Sequence, residues 1–216
     1  QWNNEWTESS DVPSELIHTT CENYLHLSTV CGHCNTGINI ADVSFQIKEN
    51  HKFTKLPIFK TRRSENNVIT SSNSTFRIED LLGDRWTGLV YAGLLYGLKR
   101  FDEFNEALGI STNILADRLK KFLESGVIQK DLYQHKPARY EYRMTKKGRT
   151  GYLAAIHLHF WAHQWMLNAK NTPISLIHEP CGKPLTIKSI CLACNEEVDP
   201  SKVSLMEQES ISSSSA

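Results

Sequence analysis

Hydrophobic positions in the middle of the chain recur at intervals of three and four residues, which is the period of helices with one buried face. The run from Trp86 to Leu95 predicts a first long helix, with Asp84 just before it. Residues 101–108 carry two phenylalanines and a leucine at helical spacing and predict a short second helix, which Gly109 ends. The pattern therefore indicates a domain that is mainly α-helical.

A third helix is predicted immediately after this pair. Ser111 is a favourable N-cap residue, Leu115 and Leu119 recur on one face of the segment, and Gly126 closes it. A helix, a short turn that contains glycine and another helix have the spacing of a helix-turn-helix.

The pattern then changes to an alternation of polar and apolar residues, which is typical of strands. Residues 127–133 and 139–145 alternate in this way and flank a turn that contains Pro137, so they predict a wing hairpin. A last helix is expected to start at Thr145 or Lys146. Its apolar stripe, which we expect to contact a second subunit or a neighbouring helix, consists of Leu153, Ile156, Phe160 and Trp165.

The six cysteines reveal an internal repeat. They stand at positions 21, 31, 34, 181, 191 and 194, so that one trio becomes the other when 160 is added to each number. Residues 16–45 and 176–205 are identical at 10 of 30 positions. Both copies contain the spacing H-x2-C-x9-C-x2-C, in which a short hairpin and a knuckle can bring one imidazole and three thiolates to the corners of a tetrahedron.

We therefore expect a structural Zn²⁺ site with Cys3His ligands within each copy. The expected ligands are His18, Cys21, Cys31 and Cys34 in the first copy and His178, Cys181, Cys191 and Cys194 in the second. In the first copy, Gly37 and the additional His33 make the fourth ligand ambiguous. Disulfides are disfavoured because three cysteines cannot all pair within one copy. Metal-free hairpins with cysteines packed as small hydrophobes, and redox-sensing thiols, remain alternatives.

The charge of the chain is unevenly distributed. The whole chain has 24 lysines and arginines and 24 aspartates and glutamates, so its formal net charge is zero. Residues 99–149 contain 12 basic and 7 acidic side chains, and this surplus suits contact with phosphates. No apolar stretch reaches the length of a membrane span, so we expect a cytoplasmic protein without membrane contact. His157, His159 and His163 lack an accompanying carboxylate, and no set of residues indicates an enzyme.

At this point the sequence resembles a known family. The segments LLGDRWTGLV, GLKRFDEFNEALGISTNILADRLKKFLESGVIQK and PARYEYRMTKKGR are similar to those of the bacterial HxlR-type winged helix-turn-helix transcriptional regulators, over about residues 74–168. The cysteine-rich tail resembles an extension found on some members, including members with two regulator domains in tandem. The resemblance implies dimeric DNA binding, with the third helix in the major groove. Oxidant-sensing members carry a cysteine before the first helix, whereas this chain has Ser72, Asn73 and Ser74 there, which puts thiol sensing by that route in doubt.

Candidate contacts with double-stranded DNA lie on three segments. They are Lys99 and Arg100 before the second helix, Ser111, Thr112, Asn113, Arg118 and Lys121 on the third helix, and His135, Lys136 and Arg139 on the wing. Ser111 has an alternative role as a cap alone. Asp117 is expected to pair with Arg118 or with a lysine rather than to touch DNA.

These observations predict a mainly α fold with a small β component, in which a winged helix-turn-helix is flanked by two zinc-ribbon-like modules. The expected segments are residues 1–45 as the end of a preceding regulator repeat with its ribbon, 46–73 as a linker, 74–170 as the DNA-binding domain, 171–206 as the second ribbon and 207–216 as a disordered tail. The expected assembly is a homodimer or a tandem pseudo-dimer, and the chain itself is expected to be a fragment of a longer tandem protein. The alternative function is an adaptor that docks on proteins of the transcription machinery.

Overall fold

The computed structural model describes residues 5–6, 16–47, 77–165 and 174–205, which belong to two compact units. The first unit comprises Gln1–Ser10 and Phe45–Ser175, and the second comprises Asp11–Ser44 and Leu176–Ala216. The predicted tail and the predicted linker, apart from residues 46 and 47, lie outside the described residues. We call the unit that contains Phe45–Ser175 the winged-helix unit, and the unit that contains Asp11–Ser44 and Leu176–Ala216 the ribbon unit.

The described helices and strands have the following bounds. The helices are α1 (Ile78–Leu82), α2 (Arg85–Leu95), α3 (Phe101–Leu108), α4 (Thr112–Glu124), α5 (Lys146–Thr150) and α6 (Tyr152–Trp165). The strands are β1 (Leu16–His18), β2 (Asn23–Tyr24), β3 (Leu27–Cys31), β4 (Val43–Ile47), β5 (Ile128–Gln134), β6 (Arg139–Met144), β7 (Ile174–His178), β8 (Lys183–Pro184), β9 (Ile187–Cys191) and β10 (Val203–Leu205).

Local chemistry explains where α2 begins and where α3 ends. Asp84 caps α2, because its Oδ1 accepts hydrogen bonds from the backbone N–H groups of Trp86 and Thr87 at 2.9 and 3.3 Å. Gly109 ends α3 in the left-handed conformation at φ 57°, which glycine adopts without steric cost. The three helices that the sequence predicted at these positions are confirmed.

The turn between α3 and α4 is held by a side chain. Asn105 donates from Nδ2 to the carbonyl of Ile110 at 2.6 Å, and Ile110 is itself buried in the core. The turn is therefore tied to α3 by a hydrogen bond and to the core by an apolar contact.

The winged-helix unit has a core of large apolar side chains drawn from all its central elements. The buried cluster consists of Leu81, Val90, Tyr91, Leu94, Phe104, Ile110, Leu115, Leu119, Phe122, Val127 and Ile128. Leu115 and Leu119 lie on the inner face of α4, as their spacing predicted. Burial of this face leaves the opposite face of α4 exposed.

The last helix differs from the prediction of one continuous helix. It is divided at Gly151 into α5 and α6. The hydroxyl of Tyr91 donates to the carbonyl of Gly148 at 2.7 Å, so that this carbonyl has a partner from outside the helix. A Cβ at Gly148 would clash with the carbonyl oxygen of Val127, and one at Gly151 would lie 2.8 Å from the Tyr91 hydroxyl. Both glycines permit the close approach of neighbouring elements.

The predicted wing is present as an antiparallel hairpin of β5 and β6. Its register runs from the pair Ile128 and Met144 to the pair Gln134 and Arg139, with an irregularity near its tip. Ile128 is buried in the core, so the base of the wing is fixed by packing.

The ribbon unit combines both sequence repeats in a single body rather than forming two separate modules. Its sheets have the strand orders β10–β1–β2, β3–β9 and β4–β7–β8. The hairpin of each repeat is thus extended by the last strand of the other repeat.

The described residues include no helix long and apolar enough to cross a membrane.

The pairing of β3 with β9 has a twofold character. Leu27 pairs with Cys191 and Cys31 pairs with Ile187, while Thr29 lies opposite Ser189, its own counterpart in the repeat. In an isologous dimer, residue i of one subunit contacts residue j of the other, and residue j of the first contacts residue i of the second. The pairs between β3 and β9 follow this rule, with the two repeats in place of the two subunits. The two repeats therefore form an intramolecular pseudo-dimer.

Candidate DNA-binding surface and metal centres

The first turn of α4 is open to solvent. Ser111, Thr112 and Asn113 are exposed, whereas Leu115, one turn later, is fully buried. Ser111 is the N-cap residue by position, but its side chain makes no capping hydrogen bond. All three polar side chains are therefore available for contacts beyond the domain.

Further along α4, the predicted DNA contacts are engaged in ion pairs. The Nε of Arg118 lies 3.2 Å from Oδ2 of Asp84, and its guanidinium also contacts Asp117. Lys121 lies 3.5 Å from Asp117 but remains exposed. The expectation that Asp117 pairs with Arg118 or with a lysine agrees with these contacts, while Arg118 itself ties α4 to the start of α2.

The same ion pair affects the capping carboxylate of α2. Burial alone would raise the pKa of Asp84, but the hydrogen bond from the Thr87 hydroxyl and the charge of Arg118 leave this pKa below its usual value. Asp84 is therefore an ionised cap that faces both α2 and α4.

Arg100 anchors the wing rather than projecting freely. Its Nε and a terminal nitrogen donate to Oε1 of Glu141 at 3.1 and 3.0 Å, and its guanidinium lies 4.6 Å from the ring centroid of Tyr133. The backbone N–H of Tyr142 donates to the carbonyl of Lys99 at 2.7 Å. The hydrogen bond from Arg100 lowers the pKa of the Glu141 carboxyl. Both strands of the wing are thus joined to the residues just before α3.

The N-terminus of α3 already has an anionic partner. Glu103 accepts hydrogen bonds from the backbone N–H groups of Lys99 and Arg100 at 2.8 and 3.0 Å. Lys99 is exposed, and none of the ion pairs between described residues involves it. A phosphate can therefore meet the Lys99 side chain, but not those two backbone N–H groups.

The tip of the wing presents three predicted contacts to solvent. His135, Lys136 and Arg139 are all exposed, and the ion pairs between described residues include none of them. Together with Lys99, Lys121 and the first turn of α4, they make up the exposed part of the predicted DNA-binding set. Lys147, by contrast, is buried, and this burial lowers the pKa of its amine.

The eight predicted metal ligands form two clusters, but their grouping differs from the prediction. One cluster contains His18, Cys21, Cys191 and Cys194, and the other contains Cys31, Cys34, His178 and Cys181. Each cluster takes the H-x2-C pair of one repeat and the C-x2-C pair of the other. The spacing within a repeat identifies the ligands, but the exchanged strands bring the partners from the opposite repeat.

The distances within the clusters suit a tetrahedral ion. In the first, Nδ1 of His18 lies 3.4 Å from the sulfurs of both Cys21 and Cys194. The sulfurs of Cys21 and Cys191 are 4.0 Å apart. Zn–S bonds of about 2.3 Å and Zn–N bonds of about 2.05 Å at tetrahedral angles imply S···S and S···N separations of about 3.8 and 3.6 Å.

The second cluster repeats these distances. Nδ1 of His178 lies 3.4 Å from the sulfur of Cys34 and 3.3 Å from that of Cys181. The sulfurs of Cys31 and Cys181 are 4.0 Å apart. The hydroxyl of Thr36 lies 2.8 Å from the Cys34 sulfur, and its hydrogen bond lowers the pKa of this thiol to about 6. The sulfur of Cys34 is thus readily available as a thiolate, the form that binds metal.

Equivalent backbone turns present the ligands in both repeats. Asn35 and Asn195 adopt left-handed conformations at φ 57° and 63°, and each donates its N–H to the carbonyl of the first cysteine in its knuckle at 2.8 Å. Glu22 and Gly182 occupy the left-handed position of the H-x2-C turns. The three histidines of α6 belong to neither cluster.

Some residues of this surface were not identified from sequence. Glu141 is an acidic residue in a basic hairpin, and this contrast is the signal that could have indicated its pairing with Arg100. The sequence placed Asp84 just before the first long helix but did not identify it as the cap of that helix or as the partner of Arg118. Asn105 carries no distinguishing pattern, because its role depends on the path of the turn after α3.

These features define a winged helix-turn-helix protein of the kind found in transcriptional regulators. The family model described as HxlR-like helix-turn-helix matches residues 81–170. The uncharacterized HTH-type transcriptional regulator Rv3095 of Mycobacterium tuberculosis is 34% identical over 125 residues, which cover 58% of this chain and 79% of that protein. The chain therefore belongs to the HxlR-like helix-turn-helix family.

Further relatives support this assignment. The uncharacterized HTH-type transcriptional regulator YvaP of Bacillus subtilis is 38% identical over 90 residues, which cover 40% of this chain and 82% of that protein. The crystal structure of PA1607, reported as a candidate transcription factor, matches with a TM-score of 0.54 and 26% identity, and covers 61% of this chain and 92% of that one. The fold and the family thus agree, and both identify a transcriptional regulator with a helix-turn-helix DNA-binding domain.

Proposed function

We propose that the protein regulates transcription by binding operator DNA through the first turn of α4 and the tip of the wing. The observation that carries the proposal is the exposure of Ser111, Thr112 and Asn113 on a helix whose opposite face is fully buried. Side chains at the start of such a helix reach base edges when the helix lies in the major groove. Asn113 is the candidate for reading a base, because its amide can both donate and accept hydrogen bonds.

The phosphate contacts come from side chains that the structure leaves exposed. Lys99, Lys136 and Arg139 are the principal candidates, with His135 beside them, and Lys121 can exchange its contact with Asp117 for a phosphate. Arg100 is paired with Glu141 and holds the wing in place, and Arg118 is paired with Asp84 and holds α4 against the start of α2. Both arginines therefore position the DNA-binding surface rather than contact phosphates. The local surplus of positive charge supports this assignment.

Dimerisation through α6 fits the operator proposal. Leu158, Trp161 and Trp165 of this helix are all exposed, and Trp165 is 70% exposed. Large apolar side chains close together on one helix are typical of an interaction surface. A dimer would place two copies of α4 on successive turns of DNA.

The DNA-binding proposal is tested by two single substitutions in the full chain. A binding sequence is first selected from a random duplex library, and affinities for this sequence and for unrelated DNA are then measured over a range of salt concentrations. Asn113→Ala should weaken binding to the selected sequence by about 1–3 kcal/mol and leave unrelated DNA unaffected. Lys136→Ala should weaken both and reduce the salt dependence by about one unit in log–log slope.

Lys183→Ala serves as the charge-matched control, since it removes an exposed lysine from the ribbon unit. It should leave both affinities unchanged. Failure to select any sequence, with neither substitution altering the affinity for duplex DNA, would contradict the proposal and favour the protein adaptor.

We also propose that the two cysteine and histidine clusters bind structural Zn²⁺. Three thiolates and one imidazole fill all four positions of a tetrahedral ion, so no position is left for a catalytic water. Metal analysis of the purified protein should find close to two zinc ions per chain, and a metal-free folded protein would contradict this assignment.

A further inference from the structure

We infer that the two zinc ions bind as a coupled pair, each ion joining the first sequence repeat to the second, so that binding of one promotes binding of the other. This inference rests on the proposed Zn²⁺ binding and extends it from the identity of the ligands to the way they load. It follows from the exchanged grouping of the ligands, from the strand ladder between the two clusters and from the sparse apolar content of the ribbon unit.

Each cluster depends on residues far apart in the chain. Cys34 and His178 are 144 positions apart, and His18 and Cys194 are 176 apart, yet each pair lies within 3.4 Å at its closest atoms. An ion in either cluster therefore closes a long loop, and the chain entropy lost in doing so is a cost to the first ion. With both repeats already together, the second ion does not meet this cost again.

The two clusters are also joined by one short ladder. Cys191 of the first cluster lies opposite Leu27, and Cys31 of the second cluster lies opposite Ile187, at the two ends of the pairing between β3 and β9. Four residue steps separate these ends, which is roughly 13 Å of strand. When one ion aligns its end of the ladder, the register of the other end is fixed as well.

Two further pairs of backbone hydrogen bonds cross between the repeats. Gly32 donates to the carbonyl of Thr186 and Leu192 donates to that of His26, both at 2.8 Å. Thr19 donates to Lys202 and Glu179 to Asp42, both at 2.9 Å. Each bond ties a turn that carries ligands in one repeat to a backbone segment of the other repeat. An ion that orders either turn therefore also helps to hold the two repeats together, which both clusters require.

The ribbon unit has little else to hold the repeats together. Its buried apolar side chains among the described residues are Val30, Ile38 and Leu185, beside the ligands Cys31 and Cys191. His18 and His178 are 1% and 0% exposed, so the imidazoles themselves occupy the interior. A small body with a polar interior needs its metal to fold. Without an ion the clusters are not preformed, and this is the condition under which loading becomes cooperative.

The first test identifies which cysteines share an ion. Cys21→Ser with Cys194→Ser removes two ligands of the first cluster, and Cys21→Ser with Cys34→Ser removes one ligand from each cluster. At saturating zinc, the first double variant should retain one ion per chain and the second should retain none. Sites formed within each repeat would give the opposite result, and that outcome would overturn the inference.

The second test uses the unsubstituted chain and does not depend on the folding of variants. Metal-free protein receives half of the zinc needed for saturation and is examined by native mass spectrometry. Coupled loading predicts metal-free and two-zinc forms with little of the one-zinc form. A statistical mixture dominated by the one-zinc form would overturn the coupling, while a chain that binds no zinc at all would overturn the zinc proposal and this inference together.

A cobalt titration supplies the readout of ligand chemistry. Co²⁺ bound by thiolates gives visible absorption, and both ions should develop the same spectrum because both clusters contain three cysteines and one histidine. Two different spectra that appear one after the other would show that one cluster fills before the second begins to bind. This outcome would contradict the coupled pair.

Discussion

The winged-helix unit and the ribbon unit bury different kinds of side chain. The interior of the winged-helix unit contains Phe104, Phe122, Leu115 and other large apolar groups, whereas the ribbon unit buries His18 and His178 together with cysteines. The first unit gains stability by removing apolar surface from water. The second, on the zinc proposal, gains it from metal–ligand bonds. One chain thus contains two bodies that should respond differently to the same perturbation.

Removal of metal should produce the largest difference between the two units. Structural zinc contributes about 10–16 kcal/mol per ion in zinc-finger peptides, so a strong chelator should unfold the ribbon unit. Hydrogen exchange followed by mass spectrometry should show lost protection in β3 and β9 and retained protection in α2 and α4. Addition of zinc should restore the protection of both strands.

The chelation experiment has an internal control in the helices of the winged-helix unit. Equal loss of protection in α4 and β9 would mean that the two units unfold as one. Unchanged protection of β9 in metal-free protein would mean that the ribbon unit does not need the ion.

Truncation of the apolar core should have the next largest effect. Leu115 is fully buried, and Leu115→Ala should lower the free energy of unfolding of the winged-helix unit by about 2–5 kcal/mol. Zinc content should not change, because no ligand is touched. Chemical denaturation followed by tryptophan fluorescence, together with metal analysis, measures both quantities.

Leu132→Ala is the matched control for this truncation. Leu132 is 43% exposed on the wing, so the same loss of atoms should change stability by no more than about 0.5 kcal/mol. Similar effects of the two substitutions would contradict the assignment of Leu115 to the core.

Substitutions of Asp84 should have the smallest effects on the free energy of unfolding. They distinguish its role as the cap of α2 from its role as the ion-pair partner of Arg118. Asp84→Ala removes both the cap of α2 and the partner of Arg118, and should cost about 0.5–2 kcal/mol. Asp84→Asn keeps a capping oxygen but removes the charge, and should cost under about 1 kcal/mol because the ion pair is partly exposed. The ionised carboxylate has a lowered pKa, so its contribution should be present at neutral pH and decrease as the pH falls through that pKa.

Thermal unfolding as a function of pH distinguishes the two variants. The wild-type protein should lose this part of its stability in acid, and Asp84→Asn should show a flatter profile over the same range. An equal slope for both proteins would mean that the charge of Asp84 does not contribute.

The winged-helix unit was largely predictable from sequence because its signals are local. Asp84 before α2, Gly109 after α3 and the inward spacing of Leu115 and Leu119 each act within a few residues. The division of the last helix at Gly151 was not predictable, since it arises from the approach of Tyr91, far away in the chain. A pattern of neighbouring residues does not indicate that Tyr91 will lie against Gly148 and Gly151 in the fold.

The metal clusters show a different limit of sequence reasoning. Every predicted ligand lies in a cluster, because ligand type and spacing are local properties. The grouping was wrong, because H-x2-C can meet the C-x2-C pair of its own repeat or that of the other with equal chemistry. Only the pairing of β3 with β9, and of each last strand with the opposite hairpin, distinguishes these arrangements. Because both repeats have the same ligand spacing, the sequence does not indicate which C-x2-C pair joins which H-x2-C pair.

The left-handed turn beside each histidine shows what joining two repeats in one chain permits. Gly182 occupies this position in one repeat, while its counterpart Glu22 adopts the same conformation at a steric cost of roughly 1–2 kcal/mol. In a dimer of identical chains such a substitution would be present in both subunits and its cost would be doubled. Within a single chain it occurs once. The two halves of the ribbon unit can therefore differ at single positions, as they do at Glu22 and Gly182, while both keep the same backbone turn.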